Sequence, residues 1–346
     1  MRYLFSIMIV CLISTSLLCF DDAGMKEPAP NRSDEPLAPF SAQKAAQFLD
    51  AASINWQKNQ QCFTCHTNYA YLMARPALGK EAPALKQVRD FAETLIKDRW
   101  ETKGPRWDAE VVATASILAI NDAKTTGKLH PLTRKALNKM WTLQRPDGGW
   151  TWLKCEWPPM ESDDHYGATL AAIGVGSAPE SYAQTAIAKT GMTKFKKYFT
   201  DHPPQFPHHR AMLLWANAKV PDLITTTEKQ KWIEGLIALQ KPDGGWNSAT
   251  LGTWKRHDGK PQDTDTSDGY ATGFVIYVLR QAGLPADRPE IQHGVTWLKT
   301  HQRESGRWFA RSLFKDSKHY LSHAATAFAV MALEECNALN TDHAQK

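Results

Sequence analysis

The sequence predicts an all-α protein built as a single α/α toroid of about six helical hairpins. The first observation is a repeated octet: LQRPDGGW ends at Trp150, LQKPDGGW ends at Trp246, and a degenerate copy, HQRESGRW, ends at Trp308. The second is that each octet follows one helix-like run and precedes another, which is small and apolar. Such a unit can bury its apolar face only against copies of itself, so the repeats predict a closed array of hairpins.

The octet has the chemistry of a helix end. In the first copy, Pro146 stops the helix, and the pair Gly148–Gly149 permits the positive φ that a tight exit needs. We expect the tryptophan that follows to fold back and cover the end of the helix.

The two runs of each unit differ in kind. The second runs, such as ATASILAI, GATLAAIG, ATGFVIYVL and ATAFAVMAL, are small or apolar nearly all round, whereas the first runs carry Lys, Arg and Glu on one face. A helix that is apolar on every side is buried on every side. The second runs therefore predict an inner ring of helices and the first runs an outer ring.

Six units follow one another along the chain, each with an outer and then an inner run. The predicted pairs are 41–56 with 69–73, 85–95 with 111–120, 132–144 with 166–173, 181–199 with 206–215, 228–240 with 270–279, and 289–302 with 320–333. The length of 346 residues would suit two domains, but the repeats span most of the chain. We predict one domain over 41–338 and a tail at 339–346.

The N-terminus differs from the rest. Residues 1–20 hold a basic start and an apolar run, which is typical of a secretory signal or an uncleaved anchor. Residues 21–40 are rich in proline and acidic residues and predict a disordered tether. We therefore expect an exported protein, periplasmic or tethered to the outer side of a membrane. The net charge is +5, but the sequence contains no block of like charge. We therefore expect no nucleic-acid partner.

The sharpest short motif is CFTCH, from Cys62 to Cys65 and His66. C-x-x-C-H is the attachment sequence of a c-type haem, in which two thiols bond to the vinyl groups and the adjacent histidine ligates the iron. Export supports this interpretation, because such attachment takes place outside the cytoplasm. A disulfide or thiol pair and a metal site are the alternatives. The prediction is haem c held by Cys62 and Cys65, with His66 as axial ligand.

A second axial ligand is not evident from the sequence. The candidates are Met73, Met160, His208 and His209, and an open position is an equal alternative.

The candidate catalytic residues are Asp263, Asp265 and Asp268, which precede the apolar run 270–279. Carboxylates ahead of a helix are favoured by its dipole and cap its free amides. Alternatively, neighbouring carboxylates in a partly buried mouth share protons, which raises one pKa and makes a proton donor. Both interpretations remain open at this point.

Other polar and aromatic residues stand at the predicted starts of inner helices and would converge on one face of the ring. They outline a pocket mouth. The polar ones are Asp108, Glu110, Asp163, Asp164, His165, His208, His209, Arg210, His319 and His323, and the aromatic ones are Trp152, Trp157, Tyr166, Trp254 and Tyr270.

Repeats of the Q-x-x-x-G-x-W kind followed by an inner helix resemble those of squalene–hopene cyclases and protein prenyltransferases. The resemblance implies an α/α toroid in which the repeat glutamines and tryptophans are structural. These residues are Gln144, Trp150, Gln240, Trp246, Gln302 and Trp308.

The resemblance also implies functional sites, but this sequence departs from the motif that each of them needs. Cyclases of this type protonate an alkene with a D-x-D-D acid; here Asp263 and Asp265 match, but Thr266 interrupts the motif, and Asp265 is the position that corresponds to the acid. A prenyltransferase-like zinc site needs Asp, Cys and His together. The fifth unit lacks the D-x-C pair, so zinc is not expected.

Three functions fit these features. The first is an exported, cyclase-like toroid with covalent haem that binds or transforms an apolar, isoprenoid-like ligand in a central cavity. The second is a non-enzymatic haem domain for electron transfer or partner binding. The third is a polysaccharide-lyase-like toroid, because helical barrels of this shape also host such enzymes.

Overall fold

The computed structural model describes residues 28, 30–60, 63, 65–316 and 319–339. The predicted signal or anchor at 1–20, Cys62 and the tail from residue 340 lie outside these residues. Within the described ranges, no helix has both the length and the apolar character needed to cross a membrane.

The regular structure of the described residues is helical, as predicted. The helices, in chain order, are α1 Ala42–Gln60, α2 Ala70–Ala74, α3 Pro83–Thr94, α4 Trp100–Thr102, α5 Asp108–Lys124, α6 Pro131–Thr142, α7 Asp164–Ser177, α8 Ala186–Asp201, α9 Pro207–Lys219, α10 Thr226–Ile237, α11 Gly269–Gln281, α12 Pro289–Thr300 and α13 Leu321–Glu335. A π-helical turn, Cys65–Tyr69, leads directly into α2, and a second one, Leu95–Arg99, joins α3 to α4.

Six of these helices form a closed inner ring. Helix α2 contacts α5, and the series continues through α7, α9, α11 and α13, which in turn contacts α2. Helices α1, α3, α6, α8, α10 and α12 lie outside them. The predicted toroid of six hairpins is confirmed.

Small residues let neighbouring inner helices approach closely. Gly273 of α11 lies so near α13 that a Cβ atom there would stand 2.5 Å from the backbone nitrogen of Ala329. A Cβ atom at Gly174 of α7 would overlap Ser116 of α5. Nearly every residue of α5, α7, α11 and α13 is buried, which is why their sequences are apolar on all sides.

The three octets share one geometry. Gly148, Gly244 and Gly306 have φ of 91°, 89° and 90°, which favours glycine. The indole nitrogen of each following tryptophan donates to a carbonyl near the end of the preceding outer helix: Trp150 to Met140, Trp246 to Leu236 and Trp308 to Leu298. The degenerate third copy therefore keeps the structure of the other two.

Each octet glutamine joins its own turn to the next outer helix. The amide nitrogen of Gln144 donates to the carbonyl oxygens of Gly148 and Gly191, at 2.9 and 3.0 Å. Gln302 makes the same contacts with Gly306 and Ser41, at 2.8 and 3.0 Å. Because Ser41 precedes α1, this last contact closes the outer ring, and the structural role that the resemblance implies for these residues agrees with their contacts.

The end of the predicted tether is held against the sixth unit. The backbone nitrogen of Ala38 donates to the carbonyl of Gln302 at 2.8 Å, and Glu35 forms an ion pair with the buried Arg307. Residues 35–40 therefore differ from the disordered tether expected over 21–40. A charged, proline-containing segment resembles a disordered one in composition, but here its acidic group meets a buried guanidinium.

Candidate functional site

The predicted haem-attachment motif falls between α1 and α2, and of its residues the structure describes Phe63, Cys65 and His66. Cys65 and His66 begin the π-helical turn that leads into α2, and Cys65 is buried. The ring of Phe63 packs against Tyr69 with 4.7 Å between centroids and against Phe91 with 6.1 Å, which fixes the turn on the toroid.

The imidazole of His66 lies among aromatic rings from three separate parts of the chain. Trp56 of α1 approaches it edge-on at 4.8 Å, and Tyr320, just before α13, stacks on it at 5.5 Å. Trp157, from the segment between α6 and α7, lies at 6.5 Å. Of these, only Trp157 is among the predicted pocket residues; Tyr320 reaches His66 because α13 closes the inner ring against α2.

The two ring nitrogens of His66 have different surroundings. Nδ1 lies 2.8 Å from Oγ1 of Thr67, whose hydroxyl also lies 2.9 Å from Nδ1 of His323. Nε2 has no hydrogen-bond partner among the described residues. Burial lowers the pKa of His66 to about 4, so the ring is neutral at neutral pH. A neutral imidazole with one nitrogen held and the other available is the state in which histidine ligates a metal.

An open cavity of about 840 Å³ adjoins this histidine cluster, within the size range of small-molecule sites. We call it the rim cleft. It is lined by Asn31, Arg32 and Asp34 of the N-terminal segment, by Asn55, Trp56, Asn59 and Gln60 of α1, and by Asp316, His319, Tyr320 and His323 before and in α13. The lining combines aromatic faces with amide and charged groups.

A second, much smaller cavity of about 20 Å³ touches His66 from the side of residues 157–161. Its lining includes Met160 and Glu161. Burial raises the pKa of Glu161 to about 7. Sequence reasoning missed Glu161, and the available signal was its position two residues before Asp163, within the predicted mouth.

The residues around the motif fit a c-type haem by the chemistry of their donors. His66 offers Nε2 and Cys65 belongs to the same turn, while the rim cleft is lined by three neighbours of His66, namely Trp56, Tyr320 and His323, and not by His66 itself. Of the candidate second ligands, Met160 lines a cavity with His66, whereas Met73 lies buried within α2. His208 is hydrogen-bonded to the Tyr270 hydroxyl at 2.9 Å.

The acidic residues ahead of α11 do not form one enclosed cluster. Asp265 is exposed. The carboxylate of Asp263 accepts hydrogen bonds from the backbone N–H groups of Asp265 and Thr266 at 3.0 and 3.1 Å. Burial raises the pKa of Asp263, but these hydrogen bonds outweigh burial and hold the pKa below its usual range. Asp263 and Asp268 line a cavity of only about 40 Å³, whose lining does not include Asp265.

Asp268 acts as the N-cap of α11. Its carboxylate accepts the backbone N–H groups of Tyr270 and Ala271 and both the N–H and the hydroxyl of Ser248, at 2.6 to 3.0 Å. Burial nevertheless raises its pKa to about 6. The contacts favour the capping interpretation over a shared-proton acid, and Asp265 is exposed.

Aromatic side chains occupy the middle of the inner ring. His208 stacks on Phe274 at 4.7 Å, and Phe274 stacks on Tyr270 at 5.6 Å and meets Phe328 edge-on at 5.2 Å. These rings stand where the sequence predicts an apolar central cavity.

The histidines of α7 and α9 form a stacked pair and not a metal site. His165 lies on His209 with 4.3 Å between ring centroids, and His209 is bonded to Asp163 at 3.0 Å. No group of three or more His, Cys, Asp or Glu side chains in the described ranges is arranged to hold a metal ion.

Comparison by sequence gives two short similarities. The chain is 33% identical over 90 residues to a squalene-hopene cyclase of Schizosaccharomyces japonicus and 32% identical over 79 residues to a probable squalene–hopene cyclase of Sinorhizobium fredii. The matches cover 24% and 23% of this chain but only 13% and 12% of the two cyclases. No protein-family model matches the chain.

Comparison by structure extends over most of the chain. The ent-copalyl diphosphate synthase of Streptomyces platensis superposes with a TM-score of 0.51 and 15% identity over 79% of this chain and 50% of the synthase. The polysaccharide lyase BACCELL_00875 gives a TM-score of 0.50 and 12% identity over 87% and 98% of the two chains. The chain is thus a terpenoid-cyclase-like α/α toroid, in a fold that polysaccharide-degrading enzymes share.

Proposed function

We propose that this chain is an exported c-type haem protein that uses a terpenoid-cyclase-like toroid as its scaffold. Cys62 and Cys65 would hold the porphyrin covalently and His66 would ligate the iron. A bound haem of this kind supplies one-electron redox chemistry. The observation that carries the proposal is the C-x-x-C-H motif, whose histidine keeps Nε2 without a partner in the described structure and lies next to the rim cleft.

The toroid's own residues give this site two properties. Trp56 and Tyr320 pack on the ring of His66, and the Thr67 hydroxyl lies within hydrogen-bond distance of Nδ1. The rim cleft opens at the surface, so a redox partner can approach without entering the ring. This suits a domain that exchanges electrons with a partner.

The geometry gives less support to an isoprenoid cyclase. Aromatic side chains occupy the middle of the inner ring, and the residue corresponding to the cyclase acid, Asp265, is exposed. The polysaccharide-lyase alternative rests on likeness of fold, and a fold of this kind carries many chemistries. A haem domain for electron transfer or partner binding, the second function that fits the sequence, is therefore the function that we propose.

The proposal is tested by expressing the full chain in a host that matures c-type haem and staining a denaturing gel for haem. We expect a stained band for the wild type and none for the double variant Cys62→Ala/Cys65→Ala. The matched control is Cys155→Ala, which removes an exposed thiol in another part of the toroid and should stain like the wild type. An unstained wild type, in cells where a known c-type cytochrome does stain, would contradict the proposal.

A further inference from the structure

We infer that Thr67, His323 and Asn31 form a hydrogen-bonded relay that positions the His66 imidazole and sets its strength as an iron ligand. The inference rests on the proposed function. Oγ1 of Thr67 lies 2.8 Å from Nδ1 of His66 and 2.9 Å from Nδ1 of His323, and Nε2 of His323 lies 3.2 Å from the side-chain amide of Asn31. The relay thus joins the motif, α13 and the N-terminal segment.

Ligation of iron would fix the direction of the first hydrogen bond in this relay. If Nε2 of His66 binds the metal, Nδ1 of the neutral ring carries the proton and donates to Thr67. In the relay that we infer, the Thr67 hydroxyl passes its own proton on to Nδ1 of His323. The proton of the neutral His323 ring then lies on Nε2, which needs an acceptor.

Asn31 supplies that acceptor. Its Oδ1 is buried and has no hydrogen-bond partner in the described structure, whereas its Nδ2 faces His323. The oxygen and nitrogen of an asparagine amide are assigned from the hydrogen-bond network and exchange by a half-turn of the side chain. With Oδ1 turned toward His323, the relay runs from His66 to Asn31, and the asparagine oxygen that is buried without a partner gains a donor.

The relay has two consequences for the ligand. A hydrogen-bond partner on Nδ1 fixes the ring orientation and would raise the basicity of Nε2, the nitrogen available to the metal. In addition, the last member belongs to residues 30–34, which line the rim cleft, and the same segment continues into Glu35, held by Arg307. The N-terminal segment therefore reaches His66 through the hydrogen bonds of the relay, and it also forms part of the wall of the cleft.

Two substitutions change the relay in opposite directions. Thr67→Val removes the hydroxyl at nearly constant volume, so Nδ1 of His66 loses its acceptor and Nε2 would become a weaker ligand. Asn31→Asp places a carboxylate at the end of the relay, which is a stronger acceptor than an amide and polarises each bond toward it. Thr94→Val is the matched control, because the Thr94 hydroxyl bonds only to the backbone of its own helix.

The measurement is the reduction potential of the purified, haem-stained protein at neutral pH, by spectroscopic redox titration. We expect a higher potential in Thr67→Val, a lower potential in Asn31→Asp, and an unchanged one in Thr94→Val. Should Thr67→Val fail to fold, Asn31→Asp is compared with Ser33→Asp, which adds the same charge at an exposed position of the same segment, and only a larger fall in potential for Asn31→Asp supports the relay. Unchanged potentials in a protein that stains for haem would overturn the relay and leave the proposed function standing. A protein without haem would overturn both.

Discussion

The carboxylate of Asp268 accepts four hydrogen bonds at the start of α11, whereas Asp265, three residues earlier, is exposed. If the cap is structural, Asp268→Ala leaves buried donors unsatisfied, and we expect a loss of about 2 kcal/mol in the free energy of unfolding. Asp265→Ala should change it by less than about 0.5 kcal/mol. Urea denaturation of both variants measures the difference; equal losses would contradict the assignment of the cap.

Glu161 predicts a dependence of stability on pH. Burial raises its folded-state pKa from 4.5 to about 7, so the folded protein holds a proton that the unfolded chain releases between these two values. The free energy of unfolding should therefore fall as the pH rises from about 4.5 to about 7, by about 1 to 3 kcal/mol from this group. Glu161→Gln should lack that part of the fall. Parallel urea titrations of wild type and variant at pH 4.5 and pH 7.5 test this. If the free energy of unfolding falls by the same amount between the two pH values in both proteins, Glu161 is not the cause.

At the scale of the element, the octet turn is the unit that joins outer helices. Gly306 has a φ of 90°, and a Cβ atom there would overlap the backbone of Lys44 in α1. Gly306→Ala should therefore lower the free energy of unfolding by more than about 2 kcal/mol, because neither backbone can move without opening the ring. Gly235→Ala is the control: it lies exposed in α10 with nothing near its Cβ position, and we expect a gain of up to about 1 kcal/mol.

The elements that sequence reasoning predicts well are those whose residues repeat. The outer and inner helices can be predicted because the apolar pattern within each helix shows which of its faces are buried, and the octets mark where the outer helices end. The surroundings of His66 could not be predicted in this way. Trp56 precedes it by only ten residues, but Trp157 and Tyr320 reach it from distant parts of the chain, and contact of α13 with α2 brings Tyr320 to it. The sequence does not decide between a cap and an acid for Asp268 for a similar reason, because its partner Ser248 precedes it by twenty residues.

At the scale of the whole molecule, the N-terminal segment and the sixth unit close the toroid next to the candidate site. Glu35 pairs with Arg307, whose side chain is 1% exposed. Because removing one partner of a buried pair leaves the other charge poorly solvated, Glu35→Gln should cost about 2 kcal/mol or more in the free energy of unfolding. Glu304→Gln, at an exposed neighbouring position, should cost less than about 0.5 kcal/mol. Chemical denaturation of both variants compares them; a Glu35→Gln protein as stable as the wild type would show that the segment is not held through this pair.

The central claim is that this toroid carries one covalent haem at the motif that ends in His66. The most direct test is the intact mass of the denatured protein, purified from a host with c-type haem maturation, together with its visible absorption spectrum. We expect a mass increased by one haem and a Soret band that persists after denaturation. A colourless protein with the mass of the unmodified polypeptide, from cells that mature another c-type cytochrome, would contradict it.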